Sequence, residues 1–278
     1  MSVMSGRREL LAKIEECERA GRFHEHNNPP DLSVSLPVDG RYRYLKKGFR
    51  QRAAEFFRNL FIVRPFTLYL NKIFFRTKVY GRGNLKNLKS AVAVLNHVNI
   101  FDCLAAKHAL RGRRVFITAA PFNNRRDFLG RMMRAGGMAP FGGTWDAQKN
   151  FQRFFADRMK RGHIGLFYPE QAMWWCYEKP RPYLDGAFHY AARYNAPILP
   201  MFIAFTLRKK LDKEGLPRRR FHFFILPPIC PDPGKAVREN AAFLKAAAFE
   251  ACKEKYEAFY GRELEYLNER GEGRGNSG

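Results

Sequence analysis

The sequence predicts an α/β domain with a mixed, largely parallel central sheet flanked by helices, preceded by an N-terminal basic-aromatic helical segment. Three observations carry this expectation. From residue 78 onward, short β-rich runs alternate with runs of helical period. Within that region, residues 91–95 (Ala-Val-Ala-Val-Leu) form an unbroken apolar run that reads as a buried strand. Ahead of it, residues 41–86 carry 13 Lys/Arg and 11 aromatic residues with a single acid, Glu55.

In chain order, residues 1–20 have the pattern of an amphipathic helix and lack the apolar centre of a signal peptide. Residues 21–40 are rich in Pro, Asn and Asp and read as a loop. The 41–86 segment suits two helical stretches separated by Pro65, either packed on a core or lying at a membrane interface with Lys/Arg on headgroups. Strands are predicted at 78–80, 91–95, 115–118, 164–168, 198–205 and 221–226. Helices are predicted at 101–110, 126–135, 145–161, 186–194 and 235–260, the last with Val237, Ala241, Leu244 and Ala248 at helical spacing. The domain expectation is a membrane-surface segment over 1–75, a catalytic domain over 76–265 and a flexible tail over 266–278, Gly-rich from Gly271.

Composition narrows the function classes. Fifty Lys+Arg against 26 Asp+Glu give a net charge of +24, which favours an anionic partner: nucleic acid, anionic lipid or an acidic carrier. Five cysteines (Cys17, Cys103, Cys176, Cys230, Cys252) form no CxxC pair, which argues against a zinc ribbon or disulfide framework and for a reducing cytoplasm. No run approaches the roughly 18 apolar residues of a spanning helix. The nearest, 60–75, is interrupted by Arg64, Pro65, Asn71 and Lys72. Peripheral attachment is therefore the expected relation to a membrane.

The most informative stretch runs from Ala91 to Asp102, AVAVLNHVNIFD. The buried strand ends in a polar loop and a helix opens soon after, with Asn99 as its expected N-cap. Ligands of open α/β sheets bind at the carboxyl ends of strands, where His97 falls. Asp102, five residues on, lies in the first helical turn, within reach of the imidazole. A carboxylate on one ring nitrogen fixes the tautomer and leaves the other nitrogen free to take a proton. Spacing alone equally permits a helix-dipole aspartate and a strand-end histidine.

The Asn96-His97-x4-Asp102 stretch resembles the first motif of the glycerolipid acyltransferases, the family of glycerol-3-phosphate and 1-acylglycerol-3-phosphate acyltransferases. Phe167-Tyr168-Pro169-Glu170-Gln171 resembles that family's Phe-Pro-Glu-Gly block, and Lys179-Pro180-Arg181-Pro182 with Gly186-Ala187-Phe188 resembles the basic stretch and turn that follow it. Asn195-Ala196-Pro197-Ile198-Leu199-Pro200 is similar to the last block. The resemblance covers roughly residues 78–230. It implies His97 as general base, Asp102 orienting it, and Asn96, Glu170, Gln171, Lys179 and Arg181 toward the substrates, Glu170 binding acceptor hydroxyls or orienting its loop. It also implies a thioester donor (acyl-CoA or acyl carrier protein), a lysophospholipid or related acceptor, an anionic membrane surface on the cytoplasmic side, and no cofactor or metal.

Two positions depart from the family. Gly143 stands where its second block usually ends in an Arg that helps hold the acceptor's phosphate, and Gln171 stands in place of Gly. Lys149, Arg153, Lys179 and Arg181 are candidate replacements for the phosphate contact. Lesser candidates read as structural: Cys103 as a core thiol, His24-x-His26 as too sparse for a metal, Gly81-x-Gly83 as a turn, Arg218-Arg219-Arg220 as a solvated strand start. Trp174-Trp175 suits an acyl pocket or the core equally. The alternatives are a non-enzymatic basic lipid- or nucleic-acid-binding protein, although no RRM, KH, zinc-finger or helix-turn-helix pattern is present.

Overall fold

The computed structural model describes residues 6–27, 32–44 and 48–268, so the Gly-rich tail lies outside the described residues. Seven strands make one sheet in the order β1-β7-β6-β2-β5-β3-β4. They are β1 Lys78–Tyr80, β2 Ala91–Leu95, β3 Arg114–Ala119, β4 Met138–Pro140, β5 His163–Phe167, β6 Ile198–Leu211 and β7 Pro217–Ile225. Only the β6–β7 hairpin pairs antiparallel; the other neighbours run parallel, as the fold class predicts.

Helices cover both faces: α4 (Asp102–Ala109) on one, and α6 (Trp145–Lys160), α7 (Gly186–Arg193) and α8 (Val237–Tyr260) on the other. Strand β2 explains why both are needed. Successive side chains alternate between faces, so Val92 and Val94 join the α6–α8 core while Ala91, Ala93 and Leu95 join the α4 core. A third apolar cluster lies apart, where helix α1 (Arg7–Arg19) and Phe23 pack on Trp174–Tyr177 and Tyr266.

The segment before β1 differs from its expectation. Pro65 does not divide it; residues 49–74 form one helical run, α2 (Phe49–Arg58) and α3 (Arg64–Tyr69), each followed by a π-helical turn at Asn59–Val63 and Leu70–Phe74. Proline lacks an N–H and crowds the carbonyl four residues back. The wider preceding turn, where Arg64 N–H bonds the Asn59 carbonyl, relieves that crowding. Among the described residues, no helix is long and apolar enough to cross a membrane. Strand β4 was not predicted: it is three residues at the sheet edge ending in Pro140, where a missing N–H is tolerated. Gly81 makes the expected turn, φ 79°, so close to the Ile225 carbonyl that a side chain would collide with it.

Candidate active site

Strands β2 and β5 are parallel neighbours, so the loops after Leu95 and Phe167 open at the same sheet edge. The first delivers His97 and Asp102, the second Tyr168 and Glu170. His97 Nδ1 lies 2.7 Å from Asp102 Oδ2. That oxygen also accepts the Val98 and Asn99 backbone N–H groups at 3.1 and 3.4 Å, while Asp102 Oδ1 accepts the Tyr168 hydroxyl at 2.7 Å. Donors thus surround the carboxylate, which is 1% exposed beside a His97 side chain that is 23% exposed. His97 Nε2 makes no hydrogen bond among the described residues. The Tyr168 ring stacks on the imidazole, centroids 4.1 Å apart. Burial, and then the Asp102 charge, hold the Tyr168 phenol well above its ordinary pKa, so it stays protonated and donates. Asn99 does not cap α4 as expected; its side chain accepts the Phe101 N–H two residues on, closing the loop as a local turn.

Glu170 sits beneath this pair, 1% exposed, with both carboxylate oxygens engaged. Oε1 accepts the Arg181 backbone N–H at 3.0 Å, and Oε2 accepts the His97 backbone N–H at 3.1 Å together with Arg181 Nε and Nη2 at 3.1 and 2.7 Å. Of its two expected roles, the geometry fits holding the loop, since a carboxylate 1% exposed presents little surface to an acceptor hydroxyl. Arg181 is fully buried, bonding the Phe23 and Ala172 carbonyls and lying 4.5 Å over the Trp174 ring. Its guanidinium is enclosed and already neutralised by Glu170, an arrangement that does not favour it as a phosphate ligand.

The remaining expected substrate contacts are dispersed. Asn96 is fully buried and continues the β2–β6 ladder with its side chain, exchanging hydrogen bonds of 3.0 and 2.8 Å with the Ile203 backbone, so it faces protein and not substrate. Lys179 pairs with Glu18 of α1. Gln171 is exposed, with a left-handed backbone at φ 65°, a conformation glycine adopts more readily. Gly143 and Lys149 are exposed, with Lys149 over the Trp145 ring at 5.1 Å. Burial pushes the Cys103 thiol up to about 12, which removes it as a nucleophile near neutral pH. Among the described residues no His/Cys/Asp/Glu group is arranged to hold a metal.

Two contributors were missed by sequence reasoning. Tyr168 lay inside the Phe-Tyr-Pro-Glu-Gln block, where a polar aromatic at a strand's carboxyl end was its one signal. The second is the strap at residues 22–27. His24 Nδ1 is 3.3 Å from the Glu170 carbonyl, Trp174 Nε1 donates to the Glu25 carbonyl at 3.0 Å, and Phe23 holds Arg181. Nothing in its loop-like composition pointed here.

An acyltransferase family model matches residues 76–204. Among solved structures the chain is similar to the 1-acyl-sn-glycerophosphate (LPA) acyltransferase PlsC from Thermotoga maritima. The two superpose with a TM-score of 0.51 at 15% identity, over 77% of this chain and 90% of that one, a likeness of fold. Curated proteins give no sequence match.

Proposed function

We propose that this chain, whose residues 76–204 match an acyltransferase family model, moves a fatty acyl group from acyl-CoA or acyl carrier protein to a hydroxyl of a lysophospholipid or related glycerolipid. The observation that carries this reading is the 2.7 Å contact between His97 Nδ1 and Asp102 Oδ2, beside an Nε2 that makes no hydrogen bond among the described residues. With Nδ1–H donated to Asp102, Nε2 takes the acceptor hydroxyl's proton as the oxygen attacks the thioester carbonyl. The tetrahedral intermediate collapses, the C–S bond breaks, and the imidazolium returns the proton to the departing thiolate. The products are an ester and a free thiol, and no acyl-enzyme is needed. Tyr168 and the Val98 and Asn99 amides hold Asp102 in place, and Glu170 with Arg181 holds the His97 backbone.

The acceptor and donor are lipidic, and the exposed residues of α2 and α3 favour capture at an interface. Phe49, Phe57, Phe61, Leu68 and Ile73 all lie exposed on this basic segment, and Ile100 is exposed in the His97 loop itself. Large apolar side chains at such density mark an interaction surface. We therefore read the protein as peripheral, docked on the cytoplasmic face of an anionic membrane. The decisive experiment incubates the purified protein with labelled acyl donors and a panel of lysolipid and glycolipid acceptors, and identifies products by mass spectrometry. New ester on a glycerolipid hydroxyl, lost in His97→Ala, is the expected result; thioester hydrolysis alone, or no product from any lipid acceptor, overturns the reading.

A further inference from the structure

An arginine-lined hollow separates α2 from helix α5 (Phe128–Ala135), and none of the residues lining it belongs to the His97 or Glu170 loops. It encloses about 330 Å³, and Arg50, Arg58, Arg131 and Arg134 line it with one carboxylate, Glu55. The sequence builds it by helical spacing: Ala54 and Arg58 follow Arg50 at intervals of four, and Arg131 and Arg134 lie three apart, so each set shares one helix face. The small side chain of Ala54 leaves the space between the arginines open.

Its walls are fixed. Asn59 Nδ2 donates to the Ala135 carbonyl at 2.7 Å, tying the turn after α2 to the end of α5. Arg134 Nη1 donates to the Asn124 side chain and the Arg125 carbonyl at 3.1 and 2.7 Å, which positions the guanidinium without neutralising it. Asp127 caps α5 through the Gly130 N–H at 2.9 Å and pairs with Arg125, so the nearest acid on that helix is already committed. Four guanidinium groups against one carboxylate, converging from two anchored helices, form a receptor for phosphate, which planar guanidinium binds bidentately.

The exposed apolar neighbours of these arginines along the two helices decide which phosphate. Phe49 precedes Arg50 and is 85% exposed, Phe128 lies one turn before Arg131 and is 58% exposed, and Leu129 beside it is 54% exposed. A soluble phosphate has no use for apolar side chains around its site, whereas a phospholipid sets its headgroup phosphate next to hydrocarbon.

We propose that the hollow between α2 and α5 is a binding site for the headgroup phosphate of a single anionic phospholipid, separate from the His97 site. The proposal rests on the membrane-docked reading above and makes it specific: one seated lipid fixes the azimuth of the 49–74 helix on the bilayer. The reaction leaves this lipid unchanged.

The test uses the full chain and vesicles of phosphatidylcholine with or without phosphatidylglycerol, with two charge-matched double variants. Arg58→Gln/Arg131→Gln removes two cations from the hollow; Lys209→Gln/Lys210→Gln removes two exposed cations from β6. Binding to phosphatidylglycerol vesicles is expected to fall roughly tenfold to thirtyfold in the first and less than about threefold in the second, at unchanged melting temperature. Micelle-free dihexanoyl phosphatidylglycerol is expected to compete for the wild type, and inorganic phosphate at the same concentration is not. Equal losses in the two variants would reduce the hollow to diffuse surface charge, and equal competition by inorganic phosphate would make it a site for the free ion; either result overturns the proposal. Vesicle binding needs no turnover, so His97→Ala is expected to retain it, and failure here is distinguishable from failure of the acyl-transfer assignment.

Discussion

Tyr168 donates its hydroxyl to Asp102 Oδ1 at 2.7 Å while its ring stacks on His97, so one side chain from the β5 loop steadies both partners delivered by the β2 loop. Tyr168→Phe separates these contributions, because it keeps the stacked ring and deletes the donor. A hydrogen bond to a charged group is worth about 1.5–3 kcal/mol, which bounds the effect on kcat at roughly tenfold to a hundredfold. The expected outcome is a loss within that range with KM little changed. Wild-type turnover in Tyr168→Phe would make the hydroxyl a packing detail.

His97→Ala leaves the backbone N–H to Glu170 in place, since that bond does not use the side chain. Loss of the base is expected to lower acyl transfer by ~10²–10⁴-fold, with a melting temperature close to wild type because the imidazole is partly exposed. Retention of more than about a tenth of the rate contradicts the general-base assignment.

Asp102→Asn is harsher on the fold than its place at a helix start implied. An amide at a helix start keeps the volume of the aspartate, so sequence position alone points to a lesion milder in structure than in rate. In the structure Asp102 is 1% exposed and each of its neighbours donates to it, so the new NH2 group either faces a donor or forces the Tyr168 hydroxyl or His97 Nδ1 to turn acceptor. The expected result is a stability loss of about 1–3 kcal/mol together with a large rate loss. Urea unfolding and single-turnover kinetics on the same preparation measure both; intact stability would mean that the loop rearranges to accommodate the amide.

Much of this was legible in the sequence, and the illegible parts share a cause. Six strands and five later helices follow from local patterns, and the His97–Asp102 pair follows from a strand end and a helix start. What local pattern cannot carry is a partner supplied from far along the chain. Glu170 and Arg181 look like ligand-binding charges until each is found buried against the other, with Phe23 contributed from 158 residues away. The structural role of Asn96 was illegible for the same reason, since its partner, Ile203, lies on another strand. Pro65 failed differently: the rule that proline ends a helix is correct for an α-helical turn and is relaxed by a π-helical one.

The buried Glu170–Arg181 pair changes what its substitutions report. Arg181→Ala strands a carboxylate that is 1% exposed and removes the group holding Phe23 and Ala172, so a loss of about 3–5 kcal/mol is expected. Preference for a phosphorylated over a dephosphorylated acceptor should be unaffected at temperatures where the variant is folded. Paired kinetics on the two acceptors test this; a preference abolished in folded Arg181→Ala would return Arg181 to the substrate.

Stability should fall in mild acid. His108, His163 and His222 all have pKa values lowered from 6.5, with burial as the first cause in each. For His222, Lys78 and then Arg220 add to it, while the Tyr80 and Thr206 hydroxyls lie 3.2 and 3.0 Å from its two ring nitrogens. A folded pKa below the unfolded one means that the unfolded chain binds more protons, so the contribution is complete above about pH 6.5 and is lost as pH falls below it. Melting curves from pH 7.5 to 5.5 should show a progressive decline that His222→Gln makes shallower. A flat wild-type curve, or an unchanged slope in the variant, contradicts the assignment.

Membrane docking requires point substitutions, because truncation confounds it. Removing residues 1–75 would also delete the strap that binds Arg181, Trp174 and Glu170, and with it the support of the His97 loop. Phe57 and Phe61 offer a cleaner test. They are stacked, with centroids 5.9 Å apart, and are 54% and 66% exposed on the outer face of the helix, so folding gains little from them. Burying a Phe in an apolar phase is worth roughly 1.5–3 kcal/mol, and the two together account for at least tenfold in partitioning. The expected pattern in liposome flotation is twofold. Raising salt releases part of the wild type from anionic liposomes, because headgroup attraction decays within a Debye length. Phe57→Ser/Phe61→Ser should lose most of the salt-resistant remainder at an unchanged melting temperature. A double variant that floats like wild type in high salt would place the docking contact elsewhere on the chain, since two exposed phenylalanines cannot enter a bilayer without stabilising the bound state.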